Sequence, residues 1–171
     1  MQTVYDAVSD AADEQPAAID LEITESVLME DIDRTIPALQ KLKDSGFRIA
    51  IDDFGTGYSS FSYLTKIPLD TIKIDRSFIK DMVSHAGQKS IVSTIILLAH
   101  ALGLKVIAEG VETEDQRKHL LDMGCDKLQG YLFAKPMSAS EAALFLNRTD
   151  LRSSCSRQRE EVEKAGTARA L

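Results

Sequence analysis

Short apolar runs alternate with longer amphipathic stretches along the chain. Leu21-Glu22-Ile23-Thr24 reads as a strand, and Ile32, Ile36, Leu39 and Leu42 then recur at helical spacing. Gly46 stands where a helix wants a left-handed cap, and the Ile-rich run Phe47 to Asp52 is the next expected strand. A short helical piece from about Ser59 to Lys66 leads through Pro68 to a strand at Thr71 to Ile74. Ile91, Ile95, Leu98 and Leu102 stripe a long helix closed by Gly103, and Lys105 to Ala108 is strand again. Thr113-x-x-Gln116 is a capping box, Gly124 ends the helix it opens, and Leu128 to Leu132 reads as the fifth strand. Pro136 and the box Ser138-x-x-Glu141 start a last helix running to about Asn147.

Strand then helix, repeated about five times, predicts an α/β fold: a parallel sheet with crossover helices. The ends differ from this middle. Residues 1–20 carry one short amphipathic helix (Val4, Ala7, Val8, Ala11) and a proline-containing turn, and residues 148–171 read as a polar, mobile tail. The repeating unit is thus expected over residues 21–147.

Composition narrows the function classes. With 20 basic and 27 acidic side chains in 171 residues, the net charge is −7, which disfavours a nucleic acid polymer or an anionic membrane surface as partner. The longest uninterrupted apolar runs, such as Ile95 to Ala99, are far short of a membrane span. No Lys or Arg precedes Arg34, as a secretory or transit peptide would require, and Cys125 and Cys155 have no metal-ligand spacing. The chain reads as cytoplasmic and reduced.

The charges fall in an informative pattern. Glu22 lies on the first expected strand and Glu25 at its end, Asp52 and Asp53 end the second, and Lys73 and Asp75 flank the end of the third. Glu109 and Glu112 follow the fourth, and Gln129 lies on the fifth. Parallel strands deliver their C-terminal ends to one face, where α/β enzymes keep their active sites. Taken singly, each residue has a plainer reading. A lone Glu there is more often a helix cap or a surface ion pair, Asp52 and Asp53 could cap a helix, and Lys73 could be a structural partner of Asp75. Together they would gather like charges that need cations to neutralise them. Oxygen donors without His or Cys suit Mg²⁺ or Mn²⁺ better than zinc, and His85, His100 and His119 look structural.

Five segments carry a family resemblance: Leu21-Glu22-Ile23-Thr24-Glu25-Ser26, the run Ile51 to Ser60 (IDDFGTGYSS), Ile72-Lys73-Ile74-Asp75, Ala108-Glu109-Gly110-Val111-Glu112 and Gln129-Gly130-Tyr131. In this order they closely resemble the motifs of EAL domains, bacterial phosphodiesterases that open cyclic di-GMP to linear pGpG. The resemblance runs from about Asp20 to Asn147. It implies a TIM-like barrel and catalysis by two Mg²⁺ or Mn²⁺ ions. Carried over by position, Glu22 and Asp52 resemble ligands of the first metal, with Asp52 bridging to a second held by Asp53 and Glu109. Lys73 resembles the lysine that orients or deprotonates the attacking water, and Gln129 and Glu112 resemble residues lining the substrate and water site. Glu25 resembles the glutamate that anchors the loop after Asp53.

The resemblance also implies an absence. The Glu-Ala-Leu motif with its Leu-x-Arg, and the Asn-bearing strand that gives another metal ligand, would precede Met1. The expected fold is therefore an incomplete (βα) barrel of about five parallel strands, truncated and impaired alone. Its open edges and apolar interior would favour a homo-oligomer or a partner protein that covers them. Two other readings compete: a catalytically inactive regulatory module binding a partner protein or cyclic di-GMP, and, more distantly, an enolase-like Mg²⁺ barrel.

Overall fold

A computed structural model describes residues 20–56 and 64–146. The chain divides into two units, Met1–Ala134 and Lys135–Leu171. The first holds a five-stranded parallel sheet of β1 (Asp20–Thr24), β2 (Arg48–Phe54), β3 (Thr71–Ile74), β4 (Lys105–Ala108) and β5 (Lys127–Leu128). Its helices are α1 (Glu25–Glu30), α2 (Ile32–Asp44), α3 (Arg76–Lys80), α4 (Ala86–Ala101) and α5 (Glu114–Asp122). The second unit contributes α6 (Ala139–Leu146), capped where expected: Glu141 accepts from the Ser138 backbone N–H at 2.8 Å.

Spatial order follows sequence order, β1-β2-β3-β4-β5, with every neighbouring pair parallel. Such a sheet has no point at which the winding reverses, so right-handed crossovers all fall on one face, as in a barrel wall. Alternation along the strands agrees. Ile49, Ile51, Ile72, Ile74, Val106 and Ala108 are all buried and join one core with Val92, Ile96 and Ala99 of α4 and Leu120 of α5. The opposite face carries Glu22, Ala50, Asp52, Thr71 and Lys73, side by side through the pairs Glu22↔Ala50, Thr24↔Asp52 and Ala50↔Thr71.

Carboxylates at the N-terminal ends of the strands have structural tasks. Asp70 accepts from the Ile49 backbone N–H at 2.9 Å and pairs with Lys43; Asp126 accepts from the Val106 N–H at 2.9 Å and lies 2.8 Å from His100 Nε2. Each satisfies a backbone donor at the start of a strand, where no ladder partner is available.

The third and fourth expected strands match the structure at both ends, and the capping box at Thr113 is present with both of its hydrogen bonds. The glycines expected to close helices at 46, 103 and 124 all take positive φ. Other expectations need correction. β2 runs two residues past Asp52, through a bulge between Ile51 and Phe54. The fifth strand is two residues rather than the run Leu128 to Leu132, because the chain turns at Gly130, whose carbonyl accepts from Phe133 and Ala134. Two short helices, α1 and α3, were not expected. The helix expected near Ser59 to Lys66 falls largely outside the described residues, as do the N-terminal helix and the polar tail.

The turn at Gly130 has a steric cause. A Cβ there would lie 2.1 Å from the Val111 carbonyl oxygen and 2.3 Å from its nitrogen, so the two backbones approach as only glycine allows. Asp75 caps α3 by accepting from the Ser77 N–H at 3.0 Å. Burial opposes its ionisation, but hydrogen bonds from Ser77 and from the Arg76 backbone outweigh this and hold its carboxyl below the usual range.

Gly130→Ala is expected to lower unfolding free energy by about 2 kcal/mol or more in urea titration, since rigid backbone must move to admit the methyl group. Asp75→Ala should cost about 1 kcal/mol at neutral pH. Because the folded-state pKa is depressed, that contribution is present above the unfolded aspartate value near 3.9 and is lost as pH falls through the folded value. The gap between wild type and Asp75→Ala should therefore close in acid, which denaturation at several pH values would show.

Candidate active site

The face opposite the hydrophobic core holds a buried cation. Lys73, in the middle of the fully buried β3, is 4% exposed. Its Nζ donates to Glu22 Oε2 at 2.7 Å, and lies 2.8 Å from Glu109 Oε1 and 3.0 Å from Asp52 Oδ1. Three strands thus send carboxylates to one ammonium. Burial pulls the lysine pKa down, but the facing carboxylates of Glu109, Glu22 and Asp52 outweigh it, so Lys73 is held above the ordinary lysine range and stays charged. The Lys73–Asp75 pairing that the sequence allowed is not formed; Asp75 is the cap of α3.

Asp53 joins this group by an unusual route. Neighbours on a regular strand point to opposite faces, so Asp52 and Asp53 should part company. Here Asp53 has φ of 53°, the only positive value at a non-glycine position among the described residues, and it sits in the bulge of β2. Asp tolerates the left-handed region better than most residues, and the bulge re-aims its side chain. As a result Asp52, Asp53 and Glu109 each offer a carboxylate oxygen, all within 4.8 Å of one another. The loop that follows is tied down by Glu25, 1% exposed, which accepts from the Gly55 N–H at 2.8 Å.

Asp53 and Glu109 also border a cavity of about 350 Å³ whose rim includes Glu112, Gln129, Arg76 and Tyr131. The segment carrying Glu112 is held by Gln116, a buried side chain whose carbonyl oxygen accepts from the Glu112 N–H at 2.8 Å and the Thr113 N–H at 3.0 Å. Its amide donates in turn to the Ile79 carbonyl at 3.2 Å, linking this loop to α3.

Of the residues singled out from sequence, Glu22, Asp52, Lys73 and Glu109 therefore meet directly, Asp53 completes the carboxylate trio, and Glu112 and Gln129 stand at the cavity rim. Glu22 is the outlier among the expected metal ligands: it contacts Lys73, lies outside the trio and has a half-exposed side chain. Arg76 and Tyr131 were not singled out. Arg76 directly follows a strand end already rich in charge, and Tyr131 closes the Gln129-Gly130-Tyr131 motif, so both had a positional signal.

The donor set suits a hard divalent cation. Its three ligands are oxygens, and Asp52 Oδ1 is buried without a hydrogen-bond partner, its contact with Lys73 lacking the alignment of one. Cys125 offers no soft alternative, since burial pushes its thiol up to about 11.

Comparison with known proteins places this arrangement. Residues 1–136 match the family model described as EAL domain, a match that begins ahead of the motifs and takes in the first twenty residues. The cyclic di-GMP phosphodiesterase NbdA of Pseudomonas aeruginosa is 48% identical over 128 residues, which are 75% of this chain and 16% of NbdA. The solved structure of the MucR phosphodiesterase of the same species, a c-di-GMP complex, superposes with a TM-score of 0.78 at 43% identity, covering 81% of this chain and 57% of that one. Klebsiella pneumoniae BlrP1, solved as a manganese/cy-diGMP complex, gives a TM-score of 0.71 at 34% identity, covering 77% of this chain and 35% of that one. The five strands thus form part of a TIM-like barrel, and the chain spans less than two thirds of each of these relatives. Fold, motif order and sequence identity agree, and the chain belongs to the EAL-domain family.

Proposed function

We propose that this chain is the strand-end portion of a cyclic di-GMP phosphodiesterase, hydrolysing the dinucleotide to linear pGpG with the help of two divalent cations. The observation that carries this reading is the convergence of Asp52, Asp53 and Glu109 within reach of one ion, beside a buried lysine and a cavity. The relatives whose names and titles include cyclic di-GMP support the substrate, and the BlrP1 manganese complex supports Mn²⁺ as one cation.

In this reading Asp52, Asp53 and Glu109 would hold one cation, and Glu22 with Asp52 would hold a second. Bound cations would neutralise phosphoryl oxygens and make a water more acidic. Lys73 orients the attacking water or takes its proton. Glu112 and Gln129 position the substrate at the rim, and Glu25 keeps the loop after Asp53 in register. No helix among the described residues is long and apolar enough to cross a membrane.

Activity in isolation should be low. Among the described residues the sheet ends at β1 and β5, and the Glu22 side chain is 48% exposed, so water screens the charges that must act on the phosphoryl group. Another chain along β1, a second copy or a partner protein, would exclude that water. An inactive module that binds cyclic di-GMP without cleaving it is the second reading, and this exposure of Glu22 favours it.

Conversion of cyclic di-GMP to pGpG, followed by chromatography with Mg²⁺ or Mn²⁺, separates the two. The expected result is turnover about a hundredfold or more below the MucR phosphodiesterase, the scale on which weakening one charge-stabilising group acts. Chelation of the metal, Asp53→Asn or Lys73→Ala should remove what activity there is. Turnover that survives chelation would overturn the metal mechanism, and binding with no turnover at any metal concentration would establish the second reading. If a covering chain completes the site, specific activity should also rise with protein concentration.

A further inference from the structure

The Lys73 ammonium touches two of the three carboxylates that make up the proposed cation site. It lies 3.0 Å from Asp52 and 2.8 Å from Glu109, and its third partner, Glu22, is outside the trio. Carboxylates brought this close repel one another unless a positive charge is present. Lys73 is the only cationic side chain that the described residues bring to Glu22, Asp52 and Glu109. It is also rigidly placed, on a strand whose four residues are all buried. Two of its three contacts come from the strands on either side of β3: Asp52 from β2, paired through Ile51↔Ile72, and Glu109 from just past β4, paired through Ile74↔Ala108.

We propose that Lys73 is a built-in counter-ion: it assembles the carboxylate cluster before any metal arrives, and it then competes with the metal and lowers the site's affinity for divalent ions. This deepens the reading above and rests on its metal site. Lys73 is here a positioning residue toward the cation, separate from its orienting role toward water.

Two effects oppose each other when the charge is removed, and their sizes decide the sign. Losing the ammonium frees two short side chains, whose ordering costs at most about tenfold each in affinity. It also removes a unit charge a few ångströms from a dication, in a site only partly exposed to water. Even at the effective dielectric of partly exposed pairs, that repulsion corresponds to more than about 10³-fold. Repulsion wins. The metal-free protein should lose stability when Lys73 is neutralised, while its affinity for metal should rise. A lysine that merely fills space or satisfies hydrogen bonds would give the first change without the second.

The experiment uses the full 171-residue chain and Mn²⁺ alone as the probe. Mn²⁺ binding is read by electron paramagnetic resonance of the free ion, and thermal melting is followed with and without the metal. Lys73→Met is expected to melt at lower temperature than wild type without metal, to bind Mn²⁺ at least about tenfold more tightly, and to gain more in melting temperature from it. Lys73→Arg, which keeps the charge, should stay within about threefold of wild type. If Lys73→Met is unfolded without metal, Mn²⁺ should fold it, because the ion supplies the missing charge. Equal or weaker Mn²⁺ binding by a folded Lys73→Met, with wild-type binding intact and lost in Asp53→Asn, would overturn the counter-ion inference alone. A Lys73→Met chain that stays unfolded in millimolar Mn²⁺ would also overturn it. Absence of Mn²⁺ binding by both wild type and Lys73→Met would overturn the metal site itself, and the inference with it.

Discussion

One buried ammonium organises the functional face of this protein. Lys73 is enclosed on β3, and three strands bring it Glu22, Asp52 and Glu109. Burying a lysine is costly unless it is paired, and burying several carboxylates side by side is costly unless they are neutralised. Each problem is the other's solution. The arrangement explains why β3 can be buried along its whole length while carrying a charge at its centre. It also explains why acidic side chains accumulate at neighbouring strand ends without forcing the sheet apart.

The second constraint is local and geometric. A parallel sheet with unreversed strand order gives a common face, but it cannot put two adjacent residues of one strand on that face. The bulge in β2 and the left-handed backbone at Asp53 do so. Residues in sparsely populated backbone regions persist only where their surroundings hold them there. Here the hold is visible on the far side of the bulge, where the buried Glu25 carboxylate binds the Gly55 N–H. Gln116 has the corresponding task on the other side of the site, fixing the backbone of Glu112 and Thr113 and tying it to α3.

Much of this was legible in the chain. β3 and β4 were bounded correctly because each is a short run of β-branched residues between clear turn signals, and the capping boxes at Thr113 and Ser138 announced their helices. The end of β5 was not legible, because it depends on a close approach between Gly130 and the Val111 backbone, residues that become neighbours only in the folded sheet. The short helix α1 was hidden because six residues are too few for an apolar stripe at helical spacing to stand out. In the site, periodicity alone put charge at the right strand ends, but it could not separate carboxylates that hold backbone, such as Asp70 and Asp126, from those that face one another. It also offered Asp75 as the partner of Lys73. The true partners come from other strands, at sequence separations that only the sheet register resolves.

The central claim is that the strand ends of one parallel sheet build a cation site around Asp52, Asp53 and Glu109, with Lys73 beside it. Anomalous diffraction from crystals of the chain grown with Mn²⁺, recorded at the manganese absorption edge, tests this most directly. The account predicts a peak within coordination distance of all three carboxylates, with Lys73 still adjacent to Asp52. No peak at the three carboxylates, or Asp53 turned to the opposite face of the sheet from Asp52 and Glu109, would contradict it.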